Sequence, residues 1–355
     1  MEISKAQRKY FTRSLMSWHH TDNDRSLPWK SEKDPYKIWL SEIILQQTRA
    51  LQGLPYYQRF TEAYPSIGHL AKAPDEEVFR IWQGLGYYNR CKNMRATARH
   101  IAGELKGKFP ATYDEILALK GIGPYTAAAI SSFAYGLPHA VVDGNVYRVL
   151  ARYFGIDTAT DSTEGKKFFH QLAGDLLHTG DSAAYNQAIM DLGAMLCTPQ
   201  KPGCENCPLQ KHCVAYHKGI ISLLPVKTKK LVVKTRYFHY LLLTHKDRLW
   251  IHKRTEQDIW QNLFEPLLIE TGNEVQDITV TDQFKKLELN ESLEYMGKAK
   301  QRLTHQLIHF SFYRLHYKPA NYPLPEDGIW VPLKELNNYG FPKTIVSFLE
   351  KIFYF

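Results

Sequence analysis

The sequence predicts a multidomain protein: a mostly helical domain over residues 1–216, a linker at 217–232, and an α+β domain over 233–355. Three observations carry that division. Helical periodicity with start and stop signals recurs through the first 216 residues. A basic stretch without helical or strand regularity, HKGIISLLPVKTKKLV, follows. Alternating, aromatic-rich segments then take over. A length of 355 residues fits two or three domains.

The elements follow in order. SEIILQQTRALQGLPYYQRF sets Ile43, Ile44, Gln47, Leu51 and Leu54 near helical spacing. DEEVFRIWQGL carries acids in its first turn and ends at glycine. ATYDEILALKG opens with Thr112 and Glu115 at capping-box spacing and stops at Gly121. PYTAAAISSFAYG begins with proline, which suits a first helical turn, and ends at Gly136. AYNQAIMDLGAML is a further amphipathic helix. In the second domain YFHYLLLTHKDRLWIHKR reads as two strands around a polar turn. HQLIHFSFYRLHY alternates, with Ile308, Phe310 and Phe312 on one side. FPKTIVSFLEKIF closes with a helical stripe of Ile345, Phe348, Leu349 and Ile352.

Bulk properties narrow the function. Hydrophobic residues make up 44% and charged residues 23%, as in soluble globular proteins. The net charge of +9 favours an anionic partner, of which nucleic acid is the common one. No run of eighteen apolar residues predicts a spanning helix. The opening MEISKAQRKYF lacks the apolar core of a secretion signal, so a cytoplasmic protein is expected.

Four of five cysteines cluster in CTPQKPGCENCPLQKHC, as C-x6-C-x2-C-x5-C: Cys197, Cys204, Cys207 and Cys213. In a reducing compartment such a cluster reads as metal ligation. Four thiolates suit tetrahedral zinc or an iron–sulfur cluster, and the spacing leaves both open. Cys91 stands alone and is read as a small buried hydrophobe.

The segment LKGIGPYT joins two short helices through Gly121-Ile122-Gly123. Glycines permit a tight turn, and the helix opened by Pro124 presents unpaired amides that attract an anion such as a DNA phosphate. Downstream, Asp143 in VVDGNV is placed as a helix N-cap or as an acid facing the bound strand. Glu42 in LSEIIL reads on its own as a first-turn glutamate stabilising the helix dipole.

Taken together, the hairpin with GPYT, the VDGNV segment and the cysteine loop resemble the helix-hairpin-helix DNA glycosylases. SLPWK, WLSEIILQQT, GLGYYNR and YNQAIMDLGAMLC narrow the resemblance to the MutY adenine DNA glycosylases. It is dense over about the first 215 residues and weaker over the rest.

The resemblance implies a six-helix hairpin module at about 30–136, with 1–29 and 137–216 supplying the remaining helices and the iron–sulfur loop. It implies a [4Fe–4S] cluster on the four cysteines and a Nudix-like recognition domain at 233–355. It also implies a monomeric, monofunctional enzyme that flips adenine out of a pair with 8-oxoguanine or guanine in double-stranded DNA and hydrolyses its glycosidic bond. Glu42 is then a proton donor, held protonated by burial in an apolar helix start. Asp143 is the ionised partner of the cationic sugar, with Asn145 beside it and Tyr125 beside the acid. Arg25, Leu27, Trp29, Lys30 and Gln187 line the adenine pocket. Gln187 reaches the adenine edge or supports Glu42. Gln47, Thr48, Tyr87, Gly121 and Gly123 meet DNA, and Leu303, Thr304 and His305 meet the lesion.

Two departures from the family pattern are visible: Lys30 stands where arginine is often found, and Leu303 where an aromatic is. The segment also lacks a Nudix box with its glutamate pair, so nucleotide hydrolysis is not expected. Two other readings survive on the residues alone. An endonuclease III-type lyase calls for lysine at position 125. A non-catalytic iron–sulfur DNA-binding protein makes Glu42 and Asp143 dispensable.

Overall fold

The structure is a computed structural model describing residues 4–228, 232–287, 292–317, 324 and 327–353, so residues 229–231 of the expected linker lie outside the described residues. By internal contacts the chain forms two units, Met1–Ala71 with Ala96–Lys229 and Lys72–Arg95 with Lys230–Phe355. Helices come first and a sheet follows, as the sequence predicts. Among the described residues no helix is long and apolar enough to cross a membrane.

The helices before the sheet are α1 (Lys5–Thr21), α2 (Pro35–Leu45), α3 (Ala50–Ala63), α4 (Ile67–Lys72), α5 (Asp75–Trp82) and α6 (Asn89–Gly103). After them come α7 (Tyr113–Leu117), α8 (Pro124–Tyr135), α9 (Gly144–Phe154), α10 (Thr163–Leu176), α11 (Ser182–Met195) and α12 (Val214–His217). The start signals work locally. Thr112 and Glu115 form a capping box on α7, and Pro124 opens α8 after an extended Gly123. Gly121 takes φ +79°, a left-handed backbone that glycine adopts without strain, and this turns α7 into α8. The main core of the first unit packs Phe11 and Leu15 of α1 against Leu150 and Phe154 of α9, Phe169 of α10 and Leu192 of α11.

Two local expectations change. The apolar period read across residues 41–60 is two helices: α2 stops at Leu45 and α3 starts at Ala50. Between them Gln47 adopts φ +56°, which no α-helix accommodates. Glu42 is not in a first turn either. Asp34 caps α2 by accepting from the Tyr36 amide at 2.9 Å, and Pro35 follows, which leaves Glu42 toward the C-terminal end. Its role as a dipole-stabilising first-turn acid therefore falls away, while its burial stands.

The second unit carries β1 (Lys234–His245), β2 (Arg248–Lys253), β3 (Phe264–Glu265), β4 (Leu267–Thr271), β5 (Glu294–Arg302), β6 (Gln306–His316) and β7 (Gly328–Pro332) in one sheet. Strand order is β3-β2-β1-β6-β5, with β4 also on β1 and β7 on β2. β1 and β6 pair in parallel, while β5 and β6 form an antiparallel hairpin. The same stretch adds α13 (Asp282–Lys285) and α14 (Lys343–Phe353), and the unit also takes in α5 and the start of α6. Leu241, Leu243, Trp250, Ile269 and Leu315 make one core cluster. Phe310 and Phe312 are buried, and Phe348 of α14 stacks on Phe312 at 3.6 Å between centroids.

Candidate active site

The first unit contains a cavity of about 510 Å³ into which both sequence-predicted carboxyl groups face. Glu42 comes from α2, Tyr125 from the first turn of α8, and Asp143 from the cap of α9; all three line it. Ten of the proposed site residues share this cavity: Arg25, Leu27, Trp29, Lys30, Glu42, Thr48, Tyr125, Asp143, Asn145 and Gln187. Ile38, Leu45, Phe133 and Met190 complete its apolar wall.

The two carboxyl groups have different surroundings. Glu42 is buried, and burial pushes its pKa up to about 7; a Tyr125 hydrogen bond pulls down and the Asp143 charge pushes up. At neutral pH about half of such groups keep the proton. Asp143 is raised as well, because burial outweighs the hydrogen bonds from Val146 and from both donors of Asn145 and the charge of Arg148. It accepts from the amides of Asn145 and Val146 at 2.8 Å each and from Asn145 Nδ2 at 2.7 Å. Three donors to one carboxylate favour its ionised form. Asp143 thus caps α9, as one of its two sequence readings expects, and also lines the cavity.

Asn145 is held in turn. Arg148 Nη2 donates to Asn145 Oδ1 at 2.8 Å and to the Gly193 carbonyl at 2.7 Å, and Arg148 Nε donates to the Cys197 carbonyl at 2.6 Å. Helices α9 and α11 approach so closely here that a Cβ on Gly193 would lie 2.6 Å from Asn145 Cβ. Sequence reasoning missed Arg148, because one more arginine on an amphipathic helix carries no local signal.

The pocket wall opposite is built by the loop at 25–30. Trp29 meets Tyr57 edge to face at 5.3 Å. Lys30 makes a definite polar contact despite departing from the family pattern: its Nζ donates to Asp191 Oδ2 at 2.6 Å and to the Arg25 carbonyl. Gln187 does not hydrogen-bond Glu42; its Nε2 donates to Asp191 at 3.1 Å. Asp191 is a second residue the sequence reading missed.

The four clustered cysteines are half-buried and line a separate small cavity with Arg152, Leu196 and Pro202. Burial raises Cys207 to about 12 and pushes Cys204 and Cys213 up as well. Arg152 Nη1 lies 3.5 Å from Cys197 Sγ and also donates to the Thr198 carbonyl at 2.7 Å. Among the described residues, no three His, Cys, Asp or Glu side chains come together closely enough to hold a single metal ion.

The other predicted contacts lie elsewhere. Gly121 and Gly123 form the α7–α8 turn, and Gln47 sits in the α2–α3 connection outside the cavity lining. Within the second unit, Tyr87, Leu303, Thr304 and His305 line a cavity of about 570 Å³. Leu303–His305 are the turn of the β5–β6 hairpin, and the Tyr87 and Thr304 hydroxyls are hydrogen-bonded. Tyr87 has φ +50°. Gln47 and Tyr87 are two of six described non-glycine residues in the left-handed region, with Lys106, Lys246, Trp260 and Asn262.

A helical part that holds a two-carboxylate cavity, followed by a sheet, matches two known families in that order. Residues 40–172 match the family model described as HhH-GPD superfamily base excision DNA repair protein, and residues 239–351 match that of the NUDIX domain. An adenine DNA glycosylase of Buchnera aphidicola subsp. Schizaphis graminum is 33% identical over 352 residues, spanning 96% of this chain and 98% of the relative. One of Mus musculus is 40% identical over 227 residues, covering 61% of this chain and 44% of the relative. A solved thermostable thymine-DNA glycosylase superimposes with a TM-score of 0.56 at 33% identity, covering 60% of this chain and 98% of that one. The chain belongs to the adenine DNA glycosylase family.

Proposed function

We propose that the protein removes adenine mispaired with 8-oxoguanine or guanine in double-stranded DNA, hydrolyses the N-glycosidic bond and leaves the strand intact. The observation that carries this reading is the pair of carboxyl groups on one cavity, one pushed to about 7 with Tyr125 as partner and the other holding three donors. Adenine first leaves the stack, since its glycosidic bond is inaccessible in the duplex. Protonated Glu42 gives its proton to the base, at N7, as the C1′–N9 bond breaks and its electron pair departs with adenine. Positive charge then develops on the sugar. The Asp143 carboxylate stabilises it and forms a transient adduct that water hydrolyses. Asn145, fixed by Arg148, holds Asp143, and Tyr125 holds Glu42. Position 125 carries a phenol, which forms no imine, so no strand-cutting Schiff base arises there.

Gly121 and Gly123 with the start of α8 grip a phosphate. Gln47, Thr48 and Tyr87 support the opened duplex, and Leu303, Thr304 and His305 meet the base opposite adenine. The enzyme acts as a monomer in the cytoplasm, with a catalytic domain at 1–216, a linker at 217–232 and a lesion-reading domain at 233–355.

Cys197, Cys204, Cys207 and Cys213 hold a [4Fe–4S] cluster. The four thiols line one cavity, and four thiolates are the ligand set that such a cluster takes. When bound, the cluster supplies a cross-link for the loop and a one-electron centre. The Arg148 and Arg152 guanidinium groups suit its negative charge.

The test is single-turnover adenine release from duplexes carrying A opposite 8-oxoguanine, G, C or T, with borohydride added in parallel. Release opposite 8-oxoguanine and G with no trapped adduct is expected. Strand cleavage, or a covalent product that depends on Lys120, overturns the reading.

A further inference from the structure

The polar wall of the adenine cavity is fastened to a carboxylate that does not line the cavity. The Asp191 side chain is fully buried, yet four donors converge on it. Arg25 Nη1 and Gln187 Nε2 reach Oδ1 at 2.7 and 3.1 Å; Lys30 Nζ and Asn23 Nδ2 reach Oδ2 at 2.6 and 2.9 Å. Each oxygen thus takes two donors. Arg25, Lys30 and Gln187 all line the cavity.

The consequence for Gln187 is chemical. A side-chain amide has a donor end and an acceptor end, and nothing in its shape distinguishes them. An ionised carboxylate accepts only. Beside Asp191 the Gln187 amide must therefore turn its NH2 end inward, and its carbonyl oxygen is the end left to meet a base. Adenine carries an amino donor at C6, and guanine and hypoxanthine carry an acceptor at the same position.

We propose that Asp191 is a positioning residue that sets base specificity: it locks Gln187 so that its carbonyl oxygen accepts from the exocyclic amino group of flipped adenine. This rests on reading the cavity as the adenine pocket. Replacing Asp191 with asparagine puts a donor beside the amide, so either orientation of Gln187 becomes available and the acceptor is no longer guaranteed.

The test compares two duplexes under single turnover, one with adenine and one with purine, the same ring without its 6-amino group, each opposite 8-oxoguanine. Wild type, Asp191→Asn, Gln187→Leu and the double variant are measured, with folding checked by circular dichroism. Loss of one hydrogen bond, about 1.4 kcal/mol, predicts that Asp191→Asn slows adenine release about tenfold and purine release less than about twofold. Gln187→Leu should lower the adenine-to-purine ratio equally, and the double variant should lower it no further. An equal slowing of both substrates by Asp191→Asn means a scaffold role only and overturns the inference. If that variant fails to fold, an unchanged ratio in Gln187→Leu overturns it instead. Wild-type protein that releases neither base sinks the functional reading itself, a result distinguishable from both.

Discussion

Both units bury carboxylates, and the sharpest difference in how they are held lies between Glu265 of the second unit and Glu42 of the first. In the second unit Glu265 is 2% exposed, and Arg254 Nη1 donates to its two oxygens at 2.7 and 2.6 Å, with the Tyr240 hydroxyl at 2.7 Å. Arg236 forks onto Asp258 and Glu270 with four contacts of 2.6–2.9 Å. In the first unit Glu42 is equally buried at 5% exposure, but a tyrosine rather than an arginine partners it. A buried charge that is fully paired is compatible with a purely structural role, whereas a buried acid without a cation holds a proton that chemistry can use.

That contrast can be broken from either side. The largest effect is expected for Glu42→Gln and Asp143→Asn, each of which should cut the single-turnover rate about 10³-fold while sparing duplex binding in a gel-shift assay. Next, Arg254→Met leaves Glu265 buried beside Tyr240 and His252 without its guanidinium. The second unit should lose about 3 kcal/mol or more in denaturant titration, as broken buried pairs do.

Glu42→Gln should then do the reverse to stability. Its folded pKa of about 7 lies above the unfolded value of 4.5, so the folded state holds more protons in between, and stability falls as pH rises through that window. Removing the acid should stabilise the protein by at most about 3 kcal/mol at pH 8, with the gain vanishing below about pH 4.5 in thermal melts. The smallest effect belongs to Tyr125→Phe. The tyrosine hydrogen bond lowers the Glu42 pKa, so its loss should move the falling limb of the pH–rate profile upward, by roughly one unit or less.

The contrast also bears on what the sequence discloses. Local signals were legible: the Thr112–Glu115 box, Pro124, Gly121 and the alternation of Ile308, Phe310 and Phe312 all act within a few residues. The break at Gln46–Arg49 was not, because apolar spacing continues from one helix into the next. Nor was the Asp191 anchor, whose partners Arg25 and Lys30 lie 166 and 161 positions away in the chain. Nor was the parallel pairing of β1 with β6, since period-two alternation marks a strand but not its neighbour. Glu42 and Asp143 stood out through their family motifs, while the surroundings that separate their roles depend on Tyr125, Asn145 and Arg148 meeting in space.

We propose that Glu42 works as a protonated acid against an ionised Asp143. This is tested most directly by the single-turnover rate of adenine release opposite 8-oxoguanine, measured from pH 5.5 to 9 in wild type and Glu42→Gln. The wild-type rate should fall about tenfold per unit above about pH 7, and the variant should be slow and flat across the range. A wild-type rate that stays level through pH 9, or a variant that keeps the wild-type profile, contradicts it.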